Sequence, residues 1–225
     1  MRMAGRCRAG GFGALLLLGA LLFLGAEPAR AEFLLPLGRE VPLHLNRTPV
    51  LFVTDAPPPR TDPRARALAR LEGGTLRVTL SWDDPTENAL AGVSRAAYRK
   101  EAIYKKPTER TDLFGDAAAV MFPAAKGARF PGIMMGDPAQ EVRIVLWRAG
   151  AKTEILRGRG RAAVERLPDD PSISVRHARA GARRVVTFAV RHFDPDLPLA
   201  FAVWDGASLD RNGYKWYTPW YRIAR

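Results

Sequence analysis

The clearest signal along the chain is a period of two. Leu76, Val78, Leu80 and Trp82 alternate with Thr75, Arg77, Thr79 and Ser81, which sends one set of side chains to a core and the other to water. Val142, Ile144 and Leu146, then Val186, Phe188 and Val190, then Leu199, Phe201 and Val203 repeat the pattern, with Gly, Pro, Asp or Asn between the runs. Further strands are expected at 50–54, 117–122, 152–157, 173–178 and 216–223. Helical periodicity is sparse. Residues 63–71 would make two turns and 88–100 a longer helix, yet neither carries a continuous apolar stripe. The charged stretch 101–115, with Pro107, reads as a long loop. The pattern predicts an all-β chain: an antiparallel β-sandwich with long loops and few short helices.

The first residues break from this pattern. Arg2, Arg6 and Arg8 precede an uncharged, Leu-rich run over 14–26, too short for a stable membrane anchor, and Ala29-Arg30-Ala31 puts small residues where a signal peptidase cuts. Residues 1–31 are therefore expected to be a cleaved secretory signal, and 32–225 a single periplasmic domain with no membrane span. No twin-arginine pair is present, which favours general secretion and capture of any cofactor after export.

Composition changes meaning once that leader is removed. The single cysteine, Cys7, leaves with it, so the exported domain is expected to have neither a disulfide nor a thiolate metal site. Four arginines and one acid leave too, so 35 basic and 23 acidic residues become 31 and 22, or +9. A basic surface favours acidic partners; nucleic acid is not expected, because no recognition motif or basic-aromatic platform appears.

Most chemistry-bearing motifs are absent. There is no Cys-x-x-Cys-His for covalent haem and no Gly-x-Ser-x-Gly elbow. His44, His177 and His192 are too dispersed for a metal clip. Gly158-Arg-Gly160-Arg-Ala-Ala163 mimics a dinucleotide loop without its βαβ context and reads as a basic turn. Asp83-Asp84, Asp169-Asp170 and Asp194/Asp196 stand beside Pro85, Pro171 and Pro195, where turn chemistry explains them.

Three stretches are more specific. Phe201-Ala-Val-Trp204-Asp205-Gly206 is followed by Asp210-Arg211-Asn-Gly213-Tyr-Lys215 and Thr218-Pro-Trp220-Tyr221. Upstream stand Asp116-Ala-Ala-Ala-Val120-Met-Phe122-Pro123, then Gly132-Ile-Met134-Met135-Gly136-Asp137-Pro138 running into 142–147, and earlier Leu80-Ser-Trp82-Asp83-Asp84. In order and spacing these blocks resemble the γ subunit of ethylbenzene dehydrogenase and its relatives in dimethylsulfide dehydrogenase, selenate reductase and chlorate reductase. After Pro138 the family's usual second aromatic is not obvious, although Trp147 is retained.

The resemblance implies one non-covalent b-type haem held within or at the edge of the sandwich, with a methionine sulfur and a lysine amine as axial ligands. The matching residues are Met135, with Met134 as the adjacent alternative, and Lys215. It further implies a non-catalytic electron-transfer subunit. Its partners would be an iron-sulfur subunit and a molybdenum-containing catalytic subunit in a heterotrimer, and a soluble carrier such as a c-type cytochrome. Arg129 and Arg211 are candidates for the haem propionates.

Taken without the family, adjacent methionines at a Gly-Asp-Pro turn are ordinary core filler, and a lysine is ordinarily a solvated charge. Lys215 differs in its setting between Tyr214 and Trp216, where burying an unpaired ammonium is costly. As a ligand it must be neutral, and from a reference pKa near 10.4 deprotonation at pH 7 costs about 4.6 kcal/mol. Two other readings stay open. One is a secreted carbohydrate-binding or adhesion sandwich without haem, using Trp82, Trp204, Trp216 and Trp220 as stacking faces. The other keeps the haem but takes two of the three histidines as ligands.

Overall fold

The hairpin at the centre of the fold shows how local chemistry sets the register. Gly73 and Gly74, at φ 55° and 72°, form a two-residue turn that needs positive φ at both positions, and residues 66–72 fold back onto 75–81 around it. The computed structural model describes residues 33–48, 62–89, 115–127, 130–161, 163–208, 210 and 215–225. Residues 32–225 form one compact unit.

The strands run in chain order: β1 (Phe33–Pro36), β2 (Glu40–Pro42), β3 (Asn46–Arg47), β4 (Arg66–Glu72), β5 (Thr75–Asp83), β6 (Ala117–Pro123) and β7 (Val142–Arg148). They continue as β8 (Glu154–Gly158), β9 (Val164–Arg166), β10 (Ile173–Ala180), β11 (Arg183–Val190), β12 (Ala200–Trp204), β13 (Trp216–Tyr217) and β14 (Tyr221–Ala224). Five form a sheet in the order β10-β11-β5-β4-β2, and seven form a second in the order β3-β13-β12-β6-β7-β8-β9. Every pairing within these two sheets is antiparallel, while β1 and β14 pair parallel. The chain is an all-β sandwich, and the helical content of the described residues is one 3-10 turn at Gly206–Ser208.

The two large sheets close on a shared core. Leu76, Val78, Leu80 and Trp82 from β5 and Val186, Phe188 and Val190 from β11 meet Ala118, Val120, Val145, Trp147, Phe201 and Val203 of the seven-stranded sheet. Trp82 and Trp147 pack edge to face, with ring centroids 6.4 Å apart. A buried ionic hub ties the sheets at one end. Arg184 on β11 pairs with Asp116, just before β6, and approaches Asp84 at 3.5 Å. Asp116 also accepts N–H bonds from Asn88 at 2.9 Å and Gly206 at 3.0 Å. Asp84, Asp116 and Asp205 bring carboxylate oxygens within 4.8 Å of one another, and the Arg184 guanidinium supplies counter-charge there.

Three expectations change. Residues 63–71 are not helical: Ala65, Ala67 and Ala69 point into the core at a period of two, and the glycine turn lays them against β5 as β4. The strand expected over 216–223 splits into β13 and β14, because Pro219 has no N–H to donate and the halves join different sheets. On β7, Val142, Ile144 and Leu146 do not face the inter-sheet core; Val145 and Trp147 do. The strand expected at 50–54 and nearly all of 88–115 lie outside the described residues.

Candidate cofactor cavity

Every residue of β6 is buried, so this strand is covered on both faces. The face away from the five-stranded sheet is built from Ala117, Ala119, Met121, Ile144, Leu146, Leu156, Ala200, Ala202 and Trp204. Ala119 on β6 and Ala202 on β12 stand directly opposite each other, with Ala117 and Ala200 one register step to either side on that face. Four short side chains leave the middle of this face low while larger ones rise around it. The result is a cavity of about 460 Å³, within the usual range for small-molecule and cofactor sites. It lies on the outer face of the larger sheet rather than between the sheets.

Two of the residues singled out in the sequence line this one cavity, although 80 positions separate them: Met135 and Lys215. Met135 sits in the turn before β7. The Asp137 carboxylate holds that turn by accepting N–H bonds from Gly132 at 3.1 Å, Ala139 at 3.0 Å and Gln140 at 2.9 Å, and these bonds lower its pKa. Met134, its neighbour, is not among the lining residues. Lys215 immediately precedes β13, and its carbonyl accepts both the N–H of buried Thr48 at 3.1 Å and the Thr48 hydroxyl at 3.2 Å. On either side of it, Arg47 pairs with Asp210 at 2.9 Å and lies 4.9 Å over the Trp216 ring.

The Lys215 Nζ stands 5.0 Å from the centre of the Trp204 ring. Burial, reinforced by the Arg161 guanidinium, brings its pKa from 10.5 down to about 8. At pH 7 the neutral amine therefore costs less than it would in water. Among the described residues the lining carries three basic side chains, Arg148, Arg161 and Lys215, and no acid, with Arg148 paired to Glu154. Such a cavity suits a ligand with an apolar body and an anionic end. The thioethers of Met135 and Met121 and the amine of Lys215 are its soft-to-borderline donors for a metal.

The remaining candidates fall elsewhere. None of His44, His177 and His192 lines the cavity: His44 stacks on Phe33 at 5.4 Å and His177 on Trp147 at 5.2 Å, while His192 occupies a turn at φ 56°. Trp82 is wholly buried, Trp204 lines the cavity, and Trp216 and Trp220 are half-buried, the last donating to the Pro131 carbonyl at 2.8 Å. Asp84, Asp170 and Asp194 accept the N–H two residues on, which is the turn role expected of them. Arg129 and Arg211 lie outside the described residues. Arg161 and the alanine floor were not singled out by sequence; the only advance hints were Ala117-Ala118-Ala119 and the turn at Gly158 to Ala163.

Fold and cavity together define a β-sandwich with a cavity of small-molecule size on one outer sheet face. The chain is 30% identical over 165 residues to the chlorate reductase subunit gamma of Ideonella dechloratans, covering 67% of this chain and 60% of that one. It is 35% identical over 123 residues to a candidate respiratory nitrate reductase heme subunit of Haloferax mediterranei, covering 49% and 43%. The chain is thus a relative of the γ-subunit type of reductase haem subunit, and it spans about half the length of the curated relatives it matches. No family model matches. Among solved structures, a family 9 carbohydrate-binding module from Caldicellulosiruptor kristjanssonii aligns at TM-scores of 0.40 with cellotriose and 0.39 with glucose. Those alignments are 8% identical and cover 85% and 86% of this chain and 93% and 95% of the module, too distant a likeness to bear on function.

Proposed function

We propose that this chain is an exported haem subunit that carries electrons for an oxidoreductase complex and has no catalytic residues of its own. The observation that carries the reading is the meeting of Met135 and Lys215 at one apolar cavity, with the lysine's pKa lowered by burial. The residues fit the group: two neutral donors for iron, an apolar wall for a porphyrin, and Arg161 at the lining for its carboxylates. A b-type haem held there supplies one-electron redox chemistry at a potential set by its ligands. The protein's part is to dehydrate the site, to lower the pKa of Lys215, and to keep the Met135 thioether in place. In this reading residues 1–31 are removed near Ala31 on export to the periplasm. The partners are the iron-sulfur and molybdenum subunits on one side and a soluble carrier, such as a c-type cytochrome, on the other. The names of the relatives, both reductase subunits, support the assignment to a complex.

The test is an absorption spectrum of protein expressed to the periplasm with haem available, oxidised and dithionite-reduced, with pyridine haemochrome to type the haem. A sharp low-spin b-type spectrum is expected. In acid, protons compete with iron for the Lys215 amine while the Met135 thioether does not titrate, so the spectrum changes before the protein unfolds. A protein that folds but stays colourless with haem supplied would refute the proposal and make sugar binding the next question.

A further inference from the structure

This inference rests on the reading of Met135 as a ligand and concerns what aims it. Met135 is at φ 71° and Gly136 at φ 79°, so two consecutive residues occupy the left-handed region, the first bearing a long side chain. Such a residue persists where its surroundings over-determine it, and such positions cluster at functional sites. Here the surroundings are glycines. The Met135 carbonyl accepts the N–H of Gly160 at 2.9 Å, and it lies so close to Gly158 that a Cβ there would come within 2.5 Å of it. A Cβ on Gly136 would in turn meet the Gly158 carbonyl oxygen at 2.9 Å.

Gly158 is the informative member. Its own φ is not positive, so any residue could adopt its backbone; what requires glycine is the approach of Met135. Nor is it in a loop. It ends β8, in register with Val142 of β7 and Val164 of β9, in the sheet whose outer face floors the cavity. We infer that Gly158 and Gly160 are positioning residues: the end of β8 clamps the Met135 carbonyl, fixes the left-handed turn, and thereby aims the thioether into the cavity. The Gly-x-Gly that mimics a nucleotide loop in the sequence is a seat for a backbone carbonyl, and it couples a loop-borne ligand to a rigid sheet.

The experiment compares haem-loaded Gly158→Ala with Met135→Leu and Gly181→Ala in reduced spectrum and midpoint potential. Gly181 has φ 61° and open space around its missing Cβ, so alanine there adds backbone strain far from the cavity. Gly158→Ala is expected to move both readouts most of the way toward Met135→Leu, with a lower potential as thioether ligation weakens; Gly181→Ala should match wild type. A folded Gly158→Ala with the parent spectrum and potential would overturn the inference. If Met135→Leu itself is silent, the ligand reading fails instead. The clamp is also read without haem, which serves if Gly158→Ala does not fold. Met135→Gly should melt higher than Met135→Ala, by about 2–4 °C, because glycine takes positive φ freely. The reverse order would mean that nothing holds residue 135 left-handed.

Discussion

The two faces of the seven-stranded sheet are made by the same strands and are both apolar, yet one is full and the other hollow. On the inner face Val120, Val145, Trp147, Phe201 and Val203 interdigitate with a second sheet. On the outer face the alternate residues of β6 and β12 include Ala117, Ala119, Ala200 and Ala202, and among the described residues no second sheet lies over them. Burial of apolar surface stabilises the first face directly. The second keeps apolar surface around a space, a loss of packing that a bound group would restore. Fold and site are thus divided by side-chain parity along shared strands, and adjacent residues can be assigned to opposite roles.

The comparison is broken most severely from the full side. Phe188→Ala should cost about 3–5 kcal/mol in denaturant unfolding, with or without haem. The sharper test uses neighbours. Ala118, wholly buried between the sheets, should not tolerate leucine, which forces overpacking worth about 1–3 kcal/mol. Ala119→Leu points into the cavity and should stabilise the haem-free protein by about 0.5–2 kcal/mol while abolishing haem uptake. If both variants lose stability equally, the outer face is not hollow.

A pH series without haem separates the two regions more gently. Burial raises the carboxyls of Asp210 to about 7 and Asp116 to about 6, so the folded chain binds their protons more tightly than the unfolded one. Stability from these groups therefore grows as pH falls from about 7 toward 4. Lys215 is shifted the other way: with its pKa down to about 8, the folded chain gives up that proton first, and stability grows as pH rises from 8 toward 10.5. A melting temperature with a shallow minimum near pH 7–8 is expected, and Lys215→Met should remove the alkaline rise alone. The smallest effect is local: Asp137→Ala frees three backbone donors in the Met135 turn and should lower the melting temperature only slightly.

Alternation made β5 and β11 legible in the sequence, because one face of each carries large residues and the other mostly polar or small ones, and β12 through Phe201 and Val203 between alanines. It misled on β7, where Val142, Ile144 and Leu146 lie on the outer face and Val145 and Trp147 in the core; when both faces are apolar, parity does not say which is which. It missed β4 because its inward residues are alanines flanked by arginines, a composition equally at home in a helix. The candidate ligands became visible only through the resemblance. No periodicity marks Lys215, whose altered proton affinity arises from burial against distant strands and, less, from Arg161. The alanine floor was invisible for the opposite reason, since a small residue signals space only when its neighbours in three dimensions are known.

The pairing of β3 with β13 has a consequence in time as well as space. Met135 is seated by residues 132–160, a neighbourhood close in sequence. Lys215 is anchored through Thr48 and through Trp216 opposite Arg47, partners separated by roughly three quarters of the 225-residue sequence. Contacts of such long range form late. A folding chain thus completes one side of the cavity early and the other near the end of folding, so that a cofactor would be gripped from both sides only by a chain already committed to its final topology.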